Sequence, residues 1–217
     1  MLIKKELDKL KKKLHKLSLN VEMNFKKAIE AMLNSNCDVA DEVIKKDIMI
    51  NELEIEVEEE CLKLLALFQP VATDLRLIIS ILKINNDLER IGDLSKSIAK
   101  RTKKIAISDK TIKTEQYQKI LECSFKMFQG SLEAFSTLDS KLAKEIILKD
   151  KEVDQMQHDI IHDLENNIDK HELPGDLTLC LFSFIHSVER IADLSVNIAE
   201  DIIYLIDGNI IRHQKLT

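Results

Sequence analysis

Four acidic residues form two pairs with the same spacing. Glu89 and Asp93 are four positions apart, and Glu189 and Asp193 repeat this spacing one hundred positions further along the chain. Residues four apart lie on one face of an α-helix, with their Cβ atoms roughly 5–6 Å apart. Because like charges at this spacing disfavour a helix, the repeated placement raises the question of which cation offsets the repulsion.

The two pairs belong to an internal repeat. Residues 87–100 (DLERIGDLSKSIAK) and residues 187–200 (SVERIADLSVNIAE) are identical at 8 of 14 positions. A second pair of segments, EVIKKD (42–47) and EIILKD (145–150), matches Asp47 with Asp150 and Asn51 with Asp154. A repeat of about half the chain length predicts two similar structural units.

The second half carries further oxygen ligands near its acidic pair. Asp150 and Asp154 are four positions apart, and Asn197 follows Asp193 by four. If the helices that carry them pack antiparallel, four carboxylates converge, and an all-oxygen set suits Mg²⁺, Ca²⁺, Mn²⁺ or iron. We therefore predict metal ligation by the acids of both halves and the adjacent amide: Asp47, Glu89, Asp93, Asp150, Asp154, Glu189, Asp193 and Asn197.

Other interpretations of these acids remain open. They could form a solvated face in which Arg90 and Arg190 make salt bridges, and His158 and His162 could either add ligands beside Asp154 or lie on the surface. No Glu-x-x-His occurs, which disfavours a ferritin-type di-iron bundle. The chain also lacks the HExxH, P-loop, GxSxG and GxGxxG motifs, so nothing predicts an enzyme.

Long helices are expected to position these residues. Gly (4), Pro (2) and aromatic residues (4%) are scarce, and apolar residues recur in steps of three and four. We predict helices over 3–33, 38–68, 71–106, 114–136, 139–171 and 176–208. The resulting all-α fold comprises two tandem, pseudo-symmetric three-helix bundles, residues 1–106 and 114–217, joined by a linker at 107–113. The second helix is expected to bury Val43, Ile44, Ile48, Ile55, Leu62 and Leu65.

Composition excludes several classes of protein. A net charge of −6 argues against nucleic-acid binding, which needs a basic surface. Cys37, Cys61, Cys123 and Cys180 are far apart with no CxxC, so four buried, reduced thiols are expected. The charged N-terminus is no secretory signal, and the apolar stretches 75–84 and 179–188 are shorter than a membrane span. A cytoplasmic protein is expected.

Several segments resemble a known family. CLKLLALFQPVATDLR (61–76), LKINNDLERIGD (82–93), SVERIADLSVNIAE (187–200) and IIYLIDGNIIRHQ (202–214) resemble the PhoU family of phosphate-transport accessory and signalling proteins, over essentially the whole chain. The resemblance implies two pseudo-symmetric three-helix bundles whose ExxxD motifs carry multinuclear metal clusters. Iron is the metal it favours, with Mg, Mn, Zn or Ca as alternatives. The acids of both halves predicted above match these motifs.

The sequence departs from the family pattern at three positions. Asn51 stands where an acid is common, which implies a weaker or smaller cluster in the first half. Leu94 and Leu194 follow the motif aspartates where many members have histidine, which removes a possible neighbouring ligand. Metal occupancy is therefore a hypothesis for this chain.

The resemblance also implies a function. PhoU-like proteins are negative regulators of phosphate uptake and of the phosphate-starvation response. They act as cytoplasmic adaptors between the ATPase of the phosphate ABC transporter and a membrane sensor histidine kinase, and a homodimer is expected. Two alternatives are a carboxylate-bridged metalloenzyme or metal store, and a plain helical scaffold with a solvated acidic face.

Overall fold

Helices make up nearly all of the described chain. The computed structural model describes residues 2–106, 115–169 and 173–209. Over these residues the elements are α1 (Leu2–Asn34), α2 (Cys37–Phe68), α3 (Ala72–Ala106), α4 (Glu115–Thr137), α5 (Ser140–Asp169) and α6 (Gly175–Asp207). The all-α fold class is confirmed, and each helix end lies within two residues of the predicted position. The predicted linker, 107–113, lies outside the described residues.

Side-chain caps fix where two of the helices begin. The Asn36 side-chain oxygen accepts hydrogen bonds from the backbone N–H groups two and three residues later, at 3.0 and 3.1 Å. Asp139 does the same at the start of α5, at 2.8 and 3.1 Å. Such caps satisfy N–H groups that have no partner within the helix. The cap at Asn36 confirms the break predicted after α1.

The six helices form two three-helix bundles that share one core. Helices α1–α3 pack against one another, as do α4–α6, and the bundles meet where α3 packs on α6 and α1 on α4. At the second junction the ring of Phe25 lies 5.7 Å from that of Phe125 and 6.3 Å from that of Phe128. The buried apolar residues of all six helices form a single cluster. The predicted tandem bundles are therefore confirmed, with a continuous interior between them.

The predicted core of α2 is wrong at three of its six positions. Ile48, Ile55 and Leu62 are 67%, 51% and 54% exposed. The helix instead buries a neighbouring stripe, which comprises Ala40, Val43, Asp47, Ile50, Leu53, Val57, Cys61 and Leu64. The prediction followed large aliphatic residues spaced seven apart, whereas the buried stripe includes a charged residue and two small ones. Of the other predicted positions, Val43 is buried and Ile44 and Leu65 are half-buried.

The cysteines are free thiols, as predicted, but only Cys61 is fully buried. Burial raises the pKa of Cys61 to about 12, and burial also raises the pKa of Cys123 and of Cys180. The expectation of four buried thiols is wrong for Cys37, Cys123 and Cys180, which are half-buried. Their helices leave one edge of each side chain in contact with solvent.

The two longest apolar stretches lie within α3 and α6, the helices that join the bundles. Many of their side chains are fully buried, including Ile78, Ile81, Phe184 and Ile185. Their apolar character is therefore explained by the core they build. None of the described helices has the length and apolarity needed to cross a bilayer.

Candidate metal centre

Helices α5 and α6 bring four carboxylates together. Packing of α5 along α6 places Asp150 and Asp154 beside Glu189 and Asp193. The charges of Asp154 and Asp193 each act on Asp150, and those of Asp150, Asp154 and Asp193 act on Glu189. The four side chains, called the second-half cluster below, thus come from the two pairs that the sequence predicted to converge.

Burial makes three carboxylates of the second-half cluster costly to ionise, whereas Asp154 is exposed. Burial, followed by the charge of neighbouring carboxylates, raises the pKa of Glu189 to about 7 and that of Asp150 to about 6. The pKa of Asp193 is also raised, first by burial and then by Asp154. In addition, Oδ1 of Asp150 is buried and has no hydrogen-bond partner. A buried acceptor without a partner costs about 1–3 kcal/mol, so this oxygen would gain from a cation or a proton.

Arginine does little to neutralise the second-half cluster. Arg190 lowers the pKa of Glu189 and of Asp193, but less than burial raises them. Within the described part of the chain, no ion pair joins Lys or Arg to any of the four carboxylates. The salt-bridged acidic face considered from the sequence is therefore not what this half shows.

In the first half, a lysine offsets the repulsion between the carboxylates. Nζ of Lys96 lies 2.5 Å from Oδ2 of Asp47, which is buried, and 3.7 Å from Oδ1 of Asp93. The pKa of Glu89 is raised by burial first, then by Asp93, Glu54 and Asp47. We call Asp47, Glu89 and Asp93 the first-half cluster. One ammonium group, that of Lys96, therefore already lies beside its carboxylates.

Lys96 distinguishes the two halves, and it is not among the site residues predicted from the sequence. The repeat aligns Lys96 with Val196, and Asn51 with Asp154. The second half thus has one more acid and one fewer base than the first. A signal was present, because Lys96 lies three positions after Asp93 and seven after Glu89, which places it on the same helical face.

The remaining predicted residues lie around the second-half cluster. Asn197 is half-buried, one helical turn after Asp193, whereas His158 and His162 are exposed. Nδ1 of His162 lies 3.1 Å from Nδ2 of Asn166. One turn beyond Asn197, Oδ1 of the buried Asp201 lies 3.0 Å from Nζ of Lys83. Asn197 therefore lies one turn from the motif aspartate, whereas the histidines lie on the surface.

The ligand atoms of the second-half cluster suit a cation, but their present arrangement does not form a ready metal site. No three His, Cys, Asp or Glu side chains among the described residues stand in a ready arrangement for a metal ion. A cation would therefore have to draw the carboxylates together by side-chain rotation. An all-oxygen set of four acids with one buried, unpartnered oxygen fits a hard cation such as Mg²⁺ or Mn²⁺, or iron.

Both halves match one protein family. The PhoU domain model matches residues 14–102 and residues 118–202. The chain belongs to the PhoU family. The first match ends within α3 and the second begins within α4, so each three-helix bundle corresponds to one PhoU domain.

Curated relatives match along nearly the whole chain. The Aquifex aeolicus "phosphate-specific transport system accessory protein PhoU homolog" is 36% identical over 214 residues, which cover 98% of this chain and 96% of the relative. The homolog from Pseudomonas aeruginosa is 34% identical, covering 98% and 88%. Escherichia coli PhoU is 33% identical, covering 96% and 86%. These relatives are named as accessory proteins and not after an enzymatic reaction.

Solved PhoU structures share the fold. The crystal structure of PhoU from Pseudomonas aeruginosa superposes with a TM-score of 0.91 at 33% identity, covering 95% of this chain and 99% of that one. The phosphate transport system regulatory protein PhoU from Streptococcus pneumoniae gives a TM-score of 0.86 at 30% identity, covering 96% and 98%. The arrangement of both bundles is thus that of PhoU proteins.

The second-half cluster of this PhoU-family chain predicts a pH-dependent stability. The pKa of Glu189 is raised from 4.5 to about 7, so the folded state holds a proton that the unfolded state has released. The stabilisation that this proton gives the folded state is complete below about pH 4.5 and is lost as pH rises through about 7. Because the side chain reaches solvent, we expect metal-free protein to lose only about 1 kcal/mol of unfolding free energy between pH 5 and pH 8.

Urea denaturation in a chelating buffer at both pH values measures this loss. The Glu189→Gln variant should lose less stability over the same range, whereas the exposed Glu133→Gln control on α4 should follow the wild type. Equal pH dependence in wild type and Glu189→Gln would contradict the assignment.

Proposed function

We propose that this chain is a negative regulator of phosphate uptake and of the phosphate-starvation response. In this proposal it is a cytoplasmic, metal-binding adaptor between the ATPase of the phosphate transporter and a membrane sensor histidine kinase, and it acts as a homodimer. The observation that carries the proposal is the match of both halves to PhoU, whose relatives are named as accessory proteins of the phosphate-specific transport system.

The metal part of the proposal rests on the two clusters. Asp150, Asp154, Glu189 and Asp193 would hold the cation of the second half, with Asn197 adjacent. Glu89, Asp93 and Asp47 would hold that of the first half, where Lys96 already supplies a positive charge. Iron is the first candidate, and Mg, Mn, Zn and Ca are alternatives. A bound cation would convert a repulsive acidic face into a neutral or positive one.

This change of charge would couple metal binding to partner binding. A partner that prefers the cation-loaded face binds more tightly when metal is present, and by linkage it also tightens the metal. The carboxylates would act as ligands and as part of a docking face. No reaction on a substrate is required of them.

A complementation experiment tests the regulatory role. In a bacterial strain that lacks its own PhoU, we expect this chain to restore low phosphate uptake and low alkaline phosphatase expression in phosphate-rich medium. The Glu189→Gln/Asp193→Asn variant should restore both less well, at equal protein abundance. If the wild-type chain leaves uptake and expression unchanged while folding normally, the regulatory role is wrong for that host system. If wild type and variant restore both equally, the metal part is wrong.

A further inference from the structure

Three exposed aliphatic residues form a straight line on α2. Ile48, Ile55 and Leu62, the α2 stripe, follow one another at seven-residue intervals and are 67%, 51% and 54% exposed. From the first to the last the line spans about 21 Å of helix. Single exposed aliphatic residues are common, but an aligned set indicates a contact surface. A seven-residue interval is also the spacing at which a helix contacts another helix laid along it.

The fold itself does not use the α2 stripe. Helix α2 packs on α1 and α3, and it does so through the buried residues of its neighbouring face, among them Val43, Ile50 and Val57. The repeat provides an internal comparison, because α5 is the counterpart of α2. With Asp47 aligned on Asp150, the stripe positions correspond to Lys151, His158 and Glu165, all exposed. The same three-helix bundle is thus built in the second half with polar residues at these positions.

Acidic residues border the α2 stripe. Glu52, Glu58 and Glu59 each lie within four positions of a stripe residue and are exposed, and Lys45 is the one exposed base at that distance from Ile48. Nζ of Lys63, beside Leu62, lies 3.3 Å from Oε1 of Glu60. Among the ion pairs of the described residues, none includes Glu52, Glu58 or Glu59. The stripe is therefore an apolar line with a negative border.

We propose that the α2 stripe is a docking site for a basic amphipathic helix of a partner protein. The apolar face of such a helix would cover the stripe over about four turns, and its Lys or Arg residues would meet the glutamates at the border. A second copy of this chain fits less well. Two α2 helices laid together in either direction would place these glutamates opposite one another. An anionic membrane is disfavoured by the same negative border.

This docking site specifies the kind of partner that the proposed adaptor role requires, and the inference rests on that role. Helix α2 also carries Asp47, whose carboxylate pairs with Lys96 of α3. A helix laid on the α2 stripe would therefore run beside the first-half cluster, about a quarter-turn around α2. The apolar contact needs no metal, so binding can be measured in a chelating buffer, where failure of the metal proposal does not affect the result.

A fluorescently labelled leucine–lysine amphipathic peptide of about 15 residues, long enough for four helical turns, serves as the probe. We expect anisotropy to show binding to the wild-type protein. The Ile48→Gln/Ile55→Gln/Leu62→Gln variant should bind about tenfold more weakly or worse, because apolar burial is lost while helix propensity and net charge are kept. The matched control, Met23→Gln/Leu148→Gln/Leu179→Gln, removes three exposed apolar side chains elsewhere and should bind like the wild type. Glu52→Gln/Glu58→Gln/Glu59→Gln should weaken binding and reduce its salt dependence.

Four results would overturn the proposal. The first is equal binding by the wild type and the stripe variant, and the second is an equal loss in the matched control. The third is a self-association of the wild type, seen by sedimentation, that the stripe variant abolishes, which would assign the stripe to a second copy. Co-flotation with phosphatidylglycerol vesicles that is lost only in the stripe variant would assign it to the membrane and also overturn the proposal. Normal regulation by the stripe variant in the complementation strain, together with lost peptide binding, would show that the regulatory role stands without this site.

Discussion

Adding Mn²⁺, or Fe²⁺ without oxygen, to metal-free protein is expected to raise its thermal unfolding midpoint by about 5–10 °C. A ligand at one hundred times its Kd stabilises the folded state by about 2.7 kcal/mol, and for a chain of this size 1 kcal/mol corresponds to about 2–4 °C. The Glu189→Gln/Asp193→Asn variant should lose most of this rise. Its two amides remove charge from a set of carboxylates that burial already makes costly to ionise.

The first half provides the matched control for this experiment. Glu89→Gln/Asp93→Asn makes the same chemical change at the aligned positions of the repeat. Because Lys96 already pairs with Asp47 and approaches Asp93, we expect this variant to keep most of the metal-induced rise. Differential scanning fluorimetry with and without metal, supported by elemental analysis of both variants, measures the difference. An equal loss in the two variants would show that the halves bind alike, and no rise in the wild type would remove the metal from the proposed function.

Replacement of Lys96 by methionine is expected to lower the unfolding free energy by about 2–3 kcal/mol at neutral pH without metal. The change leaves the carboxylate of Asp47 buried, at 2% side-chain exposure, without its ammonium partner. Breaking one side of a buried pair costs several kcal/mol because the remaining charge is uncompensated, and here contact of Lys96 with solvent reduces the loss. Urea denaturation followed by circular dichroism measures it.

A second lysine pair between the same helices is the control. Nζ of Lys103 lies 2.7 Å from Oδ1 of Asp41, but both side chains are about half exposed, so Lys103→Met should cost far less. The double variant Lys96→Met/Asp47→Leu should regain most of the stability lost by Lys96→Met, since an apolar pair can replace a buried ion pair at little cost. Equal losses for Lys96→Met and Lys103→Met would contradict the buried-pair interpretation.

Helix positions were predictable because each helix repeats its apolar residues along one face. In α1 and α3 the large aliphatic residues lie on the buried face. In α2 they diverge, since Asp47 lies on the buried face while Ile48 and Ile55 lie outside it. Hydrophobicity alone ranks an isoleucine above an aspartate for burial. The ion pair that lets Asp47 be buried involves another helix and is not visible in local periodicity.

The candidate site shows the same division. Glu189 and Asp193 were predictable as neighbours because residues four apart share a helical face. Their meeting with Asp150 depends on the packing of α5 along α6, which the repeat implied without fixing any distance. The contact from Lys96 to Asp47 was missed because a lysine side chain crosses between helices, and its target is set by register and rotamer. Pairing within one helix was thus predictable, whereas charge compensation between helices was not.

The uninterrupted interior between the two bundles has a mechanical consequence. A hinge between the halves would expose the apolar faces of α3 and α6, which are buried against each other. The two acid-bearing faces are therefore held at a fixed separation and angle, as on a rigid spacer. A partner on one face and a partner on the other would thus be held at a set distance. We expect the protein to act through simultaneous occupancy of both faces and not through bending.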